Sequence, residues 1–397
     1  MWVNRKGTWV AAWGLVLLAG LPALAQGLRD AQIFEPAEPS SYGGGVRANQ
    51  GFFFVYDGLY WAMSPPQKAT FGVDTSTLAV QRNVWWGSAD PNQTSTQGST
   101  LDTSFLQTGF MMGQRIELGQ IYEHAGWLFS YFEVHWLSQL QGAQGVQTYF
   151  HDEDWGVNNL SHLFGDSGVA GNAQNLGVWY ANVTTTDAYR PWGTEFNFLV
   201  RTHPRQHGGM WEWYFGARYL EFNEEFDILA TGPASTSILS NTEINTFAKN
   251  HLFGPQLGLR WFVTNDRWQF SATGKFMAGW NSQTVTEDGV IGTQLISASF
   301  PRSTNNPFAL QETNFSYVSH MSEFSPVVEI RLEGQYQLTK NISFHAGWNG
   351  MYIGTLARPS RMIDYTLRRT SVMGILNDRN KDLVFFDGFS IGVSINR

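Results

Sequence analysis

The chain has 397 residues, of which 43% are hydrophobic, 15% aromatic and only 15% charged, with 41 Gly, 17 Trp and no Cys. That balance excludes a disordered chain, which needs few apolar residues and high net charge. The missing Cys excludes a disulfide scaffold, a thiolate metal site and a cysteine nucleophile, and a net charge of −8 argues against a nucleic-acid partner, since phosphate contacts need basic patches.

At the N-terminus, Arg5 and Lys6 precede an apolar stretch from Trp9 to Gly20. Pro22 breaks it, and Ala23-Leu24-Ala25 supplies the small-x-small pattern that a signal peptidase cleaves. The expectation is a signal peptide over residues 1–25, with an uncleaved anchor as the alternative. Cleavage after Ala25 leaves 372 residues and, with Arg5 and Lys6 gone, a net charge of −10. Residues 26–50, with Glu35-Pro36, Pro39-Ser40 and Gly43-Gly44-Gly45, read as a flexible periplasmic leader.

From Gly51 onward the dominant pattern is period-2 alternation, which a strand produces when its two faces meet different surroundings. Over 324–338 the even positions run Phe324, Pro326, Val328, Ile330, Leu332, Gly334, Tyr336 and Leu338, while Glu329, Arg331 and Glu333 fall on the odd face. Similar alternation covers 253–263, 268–281, 342–356 and 385–396; it places Leu356 on the apolar face of its strand, and Asp387 on that of the last one. The pattern predicts ten strands, at 51–63, 104–118, 126–139, 189–202, 209–222, 245–264, 267–282, 322–338, 341–356 and 382–395. A further hairpin within 176–186 would raise the number to twelve. Connections alternate between long (64–103, 140–188, 223–244, 283–321, 357–381) and short (119–125, 203–208, 265–266, 339–340), as in a meander with one trimmed end. Asn265-Asp266 and Lys340-Asn341 have hairpin-turn chemistry.

Alternation alone also fits a soluble sandwich. Strands of this length exceed the usual five or six residues of soluble sheets, whereas about 9–11 residues cross a bilayer as part of a barrel. Aromatics such as Trp261, Trp268, Trp280, Trp211 and Tyr336 sit near the ends of apolar faces, as interfacial girdles do. The fold class expected is therefore all-β: a single antiparallel up-and-down transmembrane barrel over residues 51–397. The strand at 51–63 fits less simply, because Phe53, Val55, Leu59 and Trp61 make its second face apolar too. It packs on a plug from a loop or is buried in another way.

The stretch from His345-Ala346-Gly347-Trp348 through Gly354-Thr355-Leu356-Ala357-Arg358, and the ending Gly388-Phe389-Ser390-Ile391-Gly392-Val393-Ser394-Ile395-Asn396-Arg397, resemble bacterial outer-membrane β-barrel proteins of the porin-like kind. The chain is also similar to a poorly characterised planctomycete-type barrel family. The resemblance implies residence in the outer membrane of a Gram-negative-type bacterium, contact with its lipid, and recognition of the last strand by the barrel-assembly machinery. Gly388, Ile391 and Val393 match the spacing of the assembly signal, while Phe386 stands at its polar position and the chain ends in Arg397.

Candidate chemistry is sparse. Gly165-Asp166-Ser167-Gly168 matches a serine-protease fragment without a base or an orienting carboxylate in view. His203 and His207 flank Pro204, which opposes the helix that i, i+4 metal ligation needs. Asp152 and Asp154, and separately Asp378 and Asp382, are weak calcium candidates that read better as solvated acidic loops. Val84-Trp85-Trp86 reads as an interfacial anchor rather than a sugar platform. No catalytic residue and no cofactor are assigned. The polar strand faces, turned inward, collect Arg115, Arg201, Arg218, Arg260, Lys275 and Arg331 against Glu117, Glu195, Glu212, Glu329 and Glu333. Such a near-balance predicts charges that pair across a narrow lumen. The leading expectation is a non-enzymatic barrel, a passive pore or a structural or surface-displaying one. An outer-membrane hydrolase and a soluble carbohydrate-binding β protein are the alternatives.

Overall fold

The computed structural model describes residues 51–72, 101–122, 124–152, 175–202, 209–232, 241–291, 313–339, 341–367 and 373–396. The expected signal peptide and leader lie outside them, as do Val84-Trp85-Trp86, Gly165–Gly168, His203, His207 and Asp154. The strands are β1 (Gly51–Met63), β2 (Gly109–Ile121), β3 (Ala125–Val134), β4 (Leu137–Asp152), β5 (Asn175–Arg201), β6 (Gly209–Thr231), β7 (Thr242–Asn265), β8 (Trp268–Ile291), β9 (Thr313–Gln337), β10 (Ile342–Leu356), β11 (Thr366–Leu367) and β12 (Asp382–Asn396).

Each pairs antiparallel with its neighbours, apart from the two-residue β11, which lies parallel to β4. The ring closes where β1 meets β12, from Phe53 opposite Asn396 to Met63 opposite Phe386. Both β3 and β4 pair with β5, on its C-terminal and N-terminal halves. They therefore act as one wall strand interrupted at His135 and Trp136, and the closed barrel has ten strands. The twelve-strand alternative drops away because residues 176–186 extend β5 rather than form a separate hairpin. The two-residue turn after β7 is Asp266-Arg267, one position later than the sequence suggested, with Asp266 at φ 51°.

Alternation separates the two faces as the polarity pattern requires. On β9, Ile330 and Leu332 are each 48% exposed on the outer surface, while Glu329 and Arg331 are buried within. Trp261 and Trp268 mark the short-turn end of the outer face, and the Trp268 ring lies 4.9 Å from that of Tyr336. Asp387 keeps its place on the outer face between Phe385 and Phe389. Leu356 does not, and is fully buried inside. Thr355 adopts φ 55°, and a register shift between Ile353 and Leu356 reverses the parity of the last residues of β10.

Several expected long loops are in fact strand. β4, β5, β6, β8 and β9 each continue at least nine residues past the predicted boundary, into stretches where the outer face turns polar (Asn223, Glu225, Asp227, Thr284, Asp288). Polarity on both faces hides a strand from a hydrophobic-period reading. Conversely, residues 104–108 are not strand: Thr103–Phe105 form a 3-10 turn capped by the Asp102 carboxylate, and β2 begins only at Gly109.

The result is an uneven wall. β10, β12, β1 and β2 stop low, whereas the neighbouring strands rise above them at the long-loop end. Pairing between β9 and β10 ends at Val327, directly beside Pro326, which has no N–H to offer a further ladder. Segments 64–72, 101–107, 357–367 and 373–376 occupy the space that the tall strands surround. Phe71, Ile363 and Tyr365 pack there on Tyr180, Val183, Ile228 and Ile244.

If Ile330 faces hydrocarbon, Ile330→Arg is expected to cost about 2–4 kcal/mol near the bilayer midplane. Arg331→Gln should leave the outer face intact and act only through its inner partners. Urea unfolding in lipid vesicles, read by gel mobility without boiling, separates the two; equal tolerance at both positions contradicts the assigned faces.

Candidate functional site

The inner face of the barrel is the candidate site, and it is layered. Nearest the short turns, Phe53, Ile121, Leu128, Leu199 and Tyr214 form an apolar patch. Opposite lie Arg260, Ser271, Thr273, Arg331, Glu333 and Gln335, and between the two walls is a cavity of about 110 Å³.

Next comes a belt of charges. Arg115 donates from Nε to the Asp57 carboxylate at 2.7 Å and lies 3.5 Å from both Glu117 and Glu333. Arg331 donates to Glu117 at 2.8 Å and to Glu329 at 3.2 Å. Glu329 also accepts from Arg218, whose Nε is 3.9 Å from Glu195. Glu195 accepts from Lys275 and, at 2.9 Å, from the Gln256 amide. A second group joins Arg201 and Arg260 to Glu212, which also accepts from the Tyr214 hydroxyl at 3.2 Å. All eleven charges read from the polar strand faces thus stand on the inner surface. Eight fall in one connected chain, while Arg201, Glu212 and Arg260 form the other group.

Asp57 and His345 were missed. Both occupy inward positions, on β1 and β10, and they meet across Gly392 of β12, which is the register partner of each. A Cβ at Gly392 would collide with both side chains, so glycine is required for the pair to form across the strand between them. The apolar second face of β1 concealed Asp57. With it, six cations face six anions.

Beyond the belt the lumen is crossed by an apolar layer. Leu59, Trp61 and Met63 of β1 pack there with Met111, Phe132, Tyr189, Phe222, Leu252, Met277, Val327, Met351 and Phe386. Trp61 lies 5.5 Å from Phe132 and 6.1 Å from Phe386, ring to ring. This explains both the two-sided β1 and the aromatic Phe386 at the polar position of the C-terminal pattern: each feeds a layer to which every wall strand of the ring contributes.

Above that layer the segment after β10 is held inside. Arg358, with no exposed surface, donates from Nε and Nη2 to the Glu224 carboxylate at 2.7 and 2.9 Å. Burial alone would lower the Arg358 pKa, but Glu224 outweighs it and, with Asp187 and Asp382 as further acidic neighbours, holds it above the ordinary value. Asn250 donates to the Ala357 carbonyl at 2.9 Å and accepts from the Ala357 amide at 2.8 Å. The sequence reading placed Glu224 and Arg358 in outer loops. In the structure Glu224 belongs to β6, and residues 357–367 and 373–376 turn inward, because the tall wall gives their apolar side chains a concave surface to cover.

Of the metal candidates, Asp152 is the last residue of β4 and Asp378 lies in a 3-10 turn. Asp382 is buried, and its carboxylate accepts from the amides of Gln67 and Leu383 beside Arg361, so its oxygens are already engaged. No cluster of three or more metal-ligating side chains occurs among the described residues.

Residues 168–395 match the model of the family described as "Putative beta barrel porin-7 (BBP7)". Among solved structures the chain is similar to the CymD monoaromatic hydrocarbon channel, at 8% identity over 89% of this chain and 90% of that one, with a TM-score of 0.30. It is also similar to a FadL homologue of Pseudomonas aeruginosa, at 7% identity over 92% and 95%, with a TM-score of 0.24. No curated protein matches. The chain belongs to the beta barrel porin-7 family and is a porin-like barrel of the outer membrane.

Because one member of a buried pair leaves the other uncompensated when it is removed, Arg358→Leu is expected to destabilise by about 3–5 kcal/mol. Glu224→Gln should cost less, since Arg358 keeps Asp187 beside it. The double variant Glu224→Leu/Arg358→Leu should cost less than Arg358→Leu alone. Urea unfolding of the three proteins in lipid tests the order, and additive losses would show that the two residues do not act as a pair.

Proposed function

We propose that this barrel porin family member is non-enzymatic and has an occluded resting lumen, with the elaborated long-loop end turned outward and its surface role carried there. The observation that carries the reading is the transverse apolar layer to which every wall strand contributes, lying between a self-neutralised charge belt and the inward-turned residues 357–367 and 373–376. About eight strands leave an interior that side chains just fill, and ten add little room. Water in such a passage would have to cross a stretch with few polar partners.

The non-enzymatic reading is supported by how the charges are used. Each carboxylate of the belt lies against a guanidinium or ammonium group, whereas a catalytic acid or base must be free to face a substrate. The hydrolase alternative therefore has no support from the charge belt.

Export through cleavage after Ala25 accounts for the N-terminal pattern. Both Gly51 and Asn396 stand at the short-turn end, so the reading places the termini in the periplasm, as outer-membrane barrels keep their short turns there. β12, whose outer face shows Phe385, Phe389, Ile391 and Ile395 to lipid, is the strand offered to the assembly machinery.

In a planar bilayer the purified protein should show no steady conductance, or small intermittent events. Removing residues 359–376 alone should change this little, because the apolar layer remains. Replacing Met277 and Met351 with Ser as well should raise conductance severalfold. A large, steadily open channel in the unmodified protein would refute the occluded reading.

A further inference from the structure

We infer that the cavity at the short-turn end is a binding site for a small amphiphile with one anionic head group, of the size of a five-carbon monocarboxylate. This deepens the occluded-lumen reading by assigning a ligand class to the open end of that lumen, and three observations carry it.

First, the cavity is divided by polarity. Phe53, Ile121, Leu128, Leu199 and Tyr214 form one continuous apolar patch, with Arg201 and Glu212 at its edge and Arg260, Ser271, Arg331 and Glu333 across from it. A water-filled entrance needs no such patch. An apolar tail does, because each methylene taken from water onto it strengthens binding roughly fourfold.

Second, the charges are unevenly shared. The interior as a whole is balanced, but the cavity is lined by Arg201, Arg260, Lys275 and Arg331 against only Glu117, Glu212 and Glu333. Of these cations, Lys275 is met by Glu195 and Arg331 also by Glu329, both from beyond the lining, whereas Arg201 and Arg260 share the single carboxylate of Glu212. The open end therefore carries one positive charge in excess, and an anion is what neutralises it.

Third, the donors there are incompletely used. Arg260 is held loosely, 3.6 Å from Glu212 and 3.4 Å from the Ser271 hydroxyl, and its Nε meets no acceptor among the described residues. Arg331 likewise has no Nε acceptor among the described residues, while its terminal nitrogens hold Glu117 and Glu329. Buried guanidinium donors are rarely left unmet. Arg260, with 24% of its side chain exposed, is the cation best able to turn to a carboxylate, and planar guanidinium suits that group. At about 110 Å³ the cavity is somewhat smaller than the roughly 150 Å³ that takes a benzene ring. A tail of four carbons is therefore the fitting length.

The test is calorimetric titration of the full barrel in phosphatidylcholine nanodiscs with pentanoate, acetate, pentylammonium and 1-pentanol. Pentanoate should bind at least tenfold more tightly than acetate, which lacks the tail, and than pentylammonium, which reverses the charge. Arg260→Gln should weaken pentanoate at least tenfold while leaving 1-pentanol unchanged, and Arg260→Lys should recover part of the loss. Faster gel migration without boiling shows that each variant is folded. Equal binding of pentanoate and pentylammonium, or a folded Arg260→Gln protein with unaltered pentanoate affinity, overturns the assignment. The conductance measurement above is independent of this one. A freely conducting barrel that still selects pentanoate refutes the occlusion and keeps the site, and a closed barrel that binds none refutes the site alone.

Discussion

Inside hydrocarbon there is no water to meet a backbone N–H or C=O, so a sheet can cross only if it closes on itself. The pairing of β1 with β12 meets that requirement here. Closure at ten strands also fixes the width of the interior. An inward side chain in so narrow a ring reaches the opposite wall, and each one must pair, pack or face the cavity. The charge belt and the apolar layer are two solutions to this single constraint, adopted at different heights by the same strands.

The alternation of the belt follows from the cost of isolated charge. Placing Arg218 between Glu195 and Glu329, or Arg331 between Glu117 and Glu329, lets each ion meet more than one partner. Removing charges from water is repaid only by such close geometry. The belt therefore fixes the relative heights of strands far apart in sequence, since a shift of one residue on any strand would turn its inner charges towards lipid. The Asp57–His345 pair illustrates how strict the geometry is. It forms across an intervening strand, and only a glycine at position 392 leaves room for it.

Much of this was legible in the residues. Strand parity on β9 put Glu329, Arg331 and Glu333 on one face and Val328, Ile330 and Leu332 on the other, and a closed barrel needs little more than that to name its lumen. Three features were hidden for physical reasons. The upper parts of β5, β6 and β8 have polar groups outside because they rise above the apolar belt, so the two-residue period fades there. The apolar layer was hidden because Leu252, Met277 and Val327 on inner faces look like noise in a polar pattern until the strands are brought to a common height. The Arg358–Glu224 contact joins residues 134 positions apart, and nothing local to either announces the other.

That contact also explains why the two ends of the barrel differ. A buried ion pair adds little net stability over an apolar pair of the same shape, yet losing one member is costly. Its value is therefore in selecting one arrangement. Residues 357–367 and 373–376 present apolar side chains that could settle against the concave wall in several ways. Only one position lets Arg358 reach Glu224 while Ala357 exchanges two hydrogen bonds with Asn250. At the long-loop end, then, charge is spent on fixing a segment of the chain itself, and the wall closes over it. At the short-turn end no segment among the described residues fills the lumen. There the same chemistry, guanidinium groups beside an apolar patch, lines a cavity, with Arg260 held only loosely by Glu212 and Ser271.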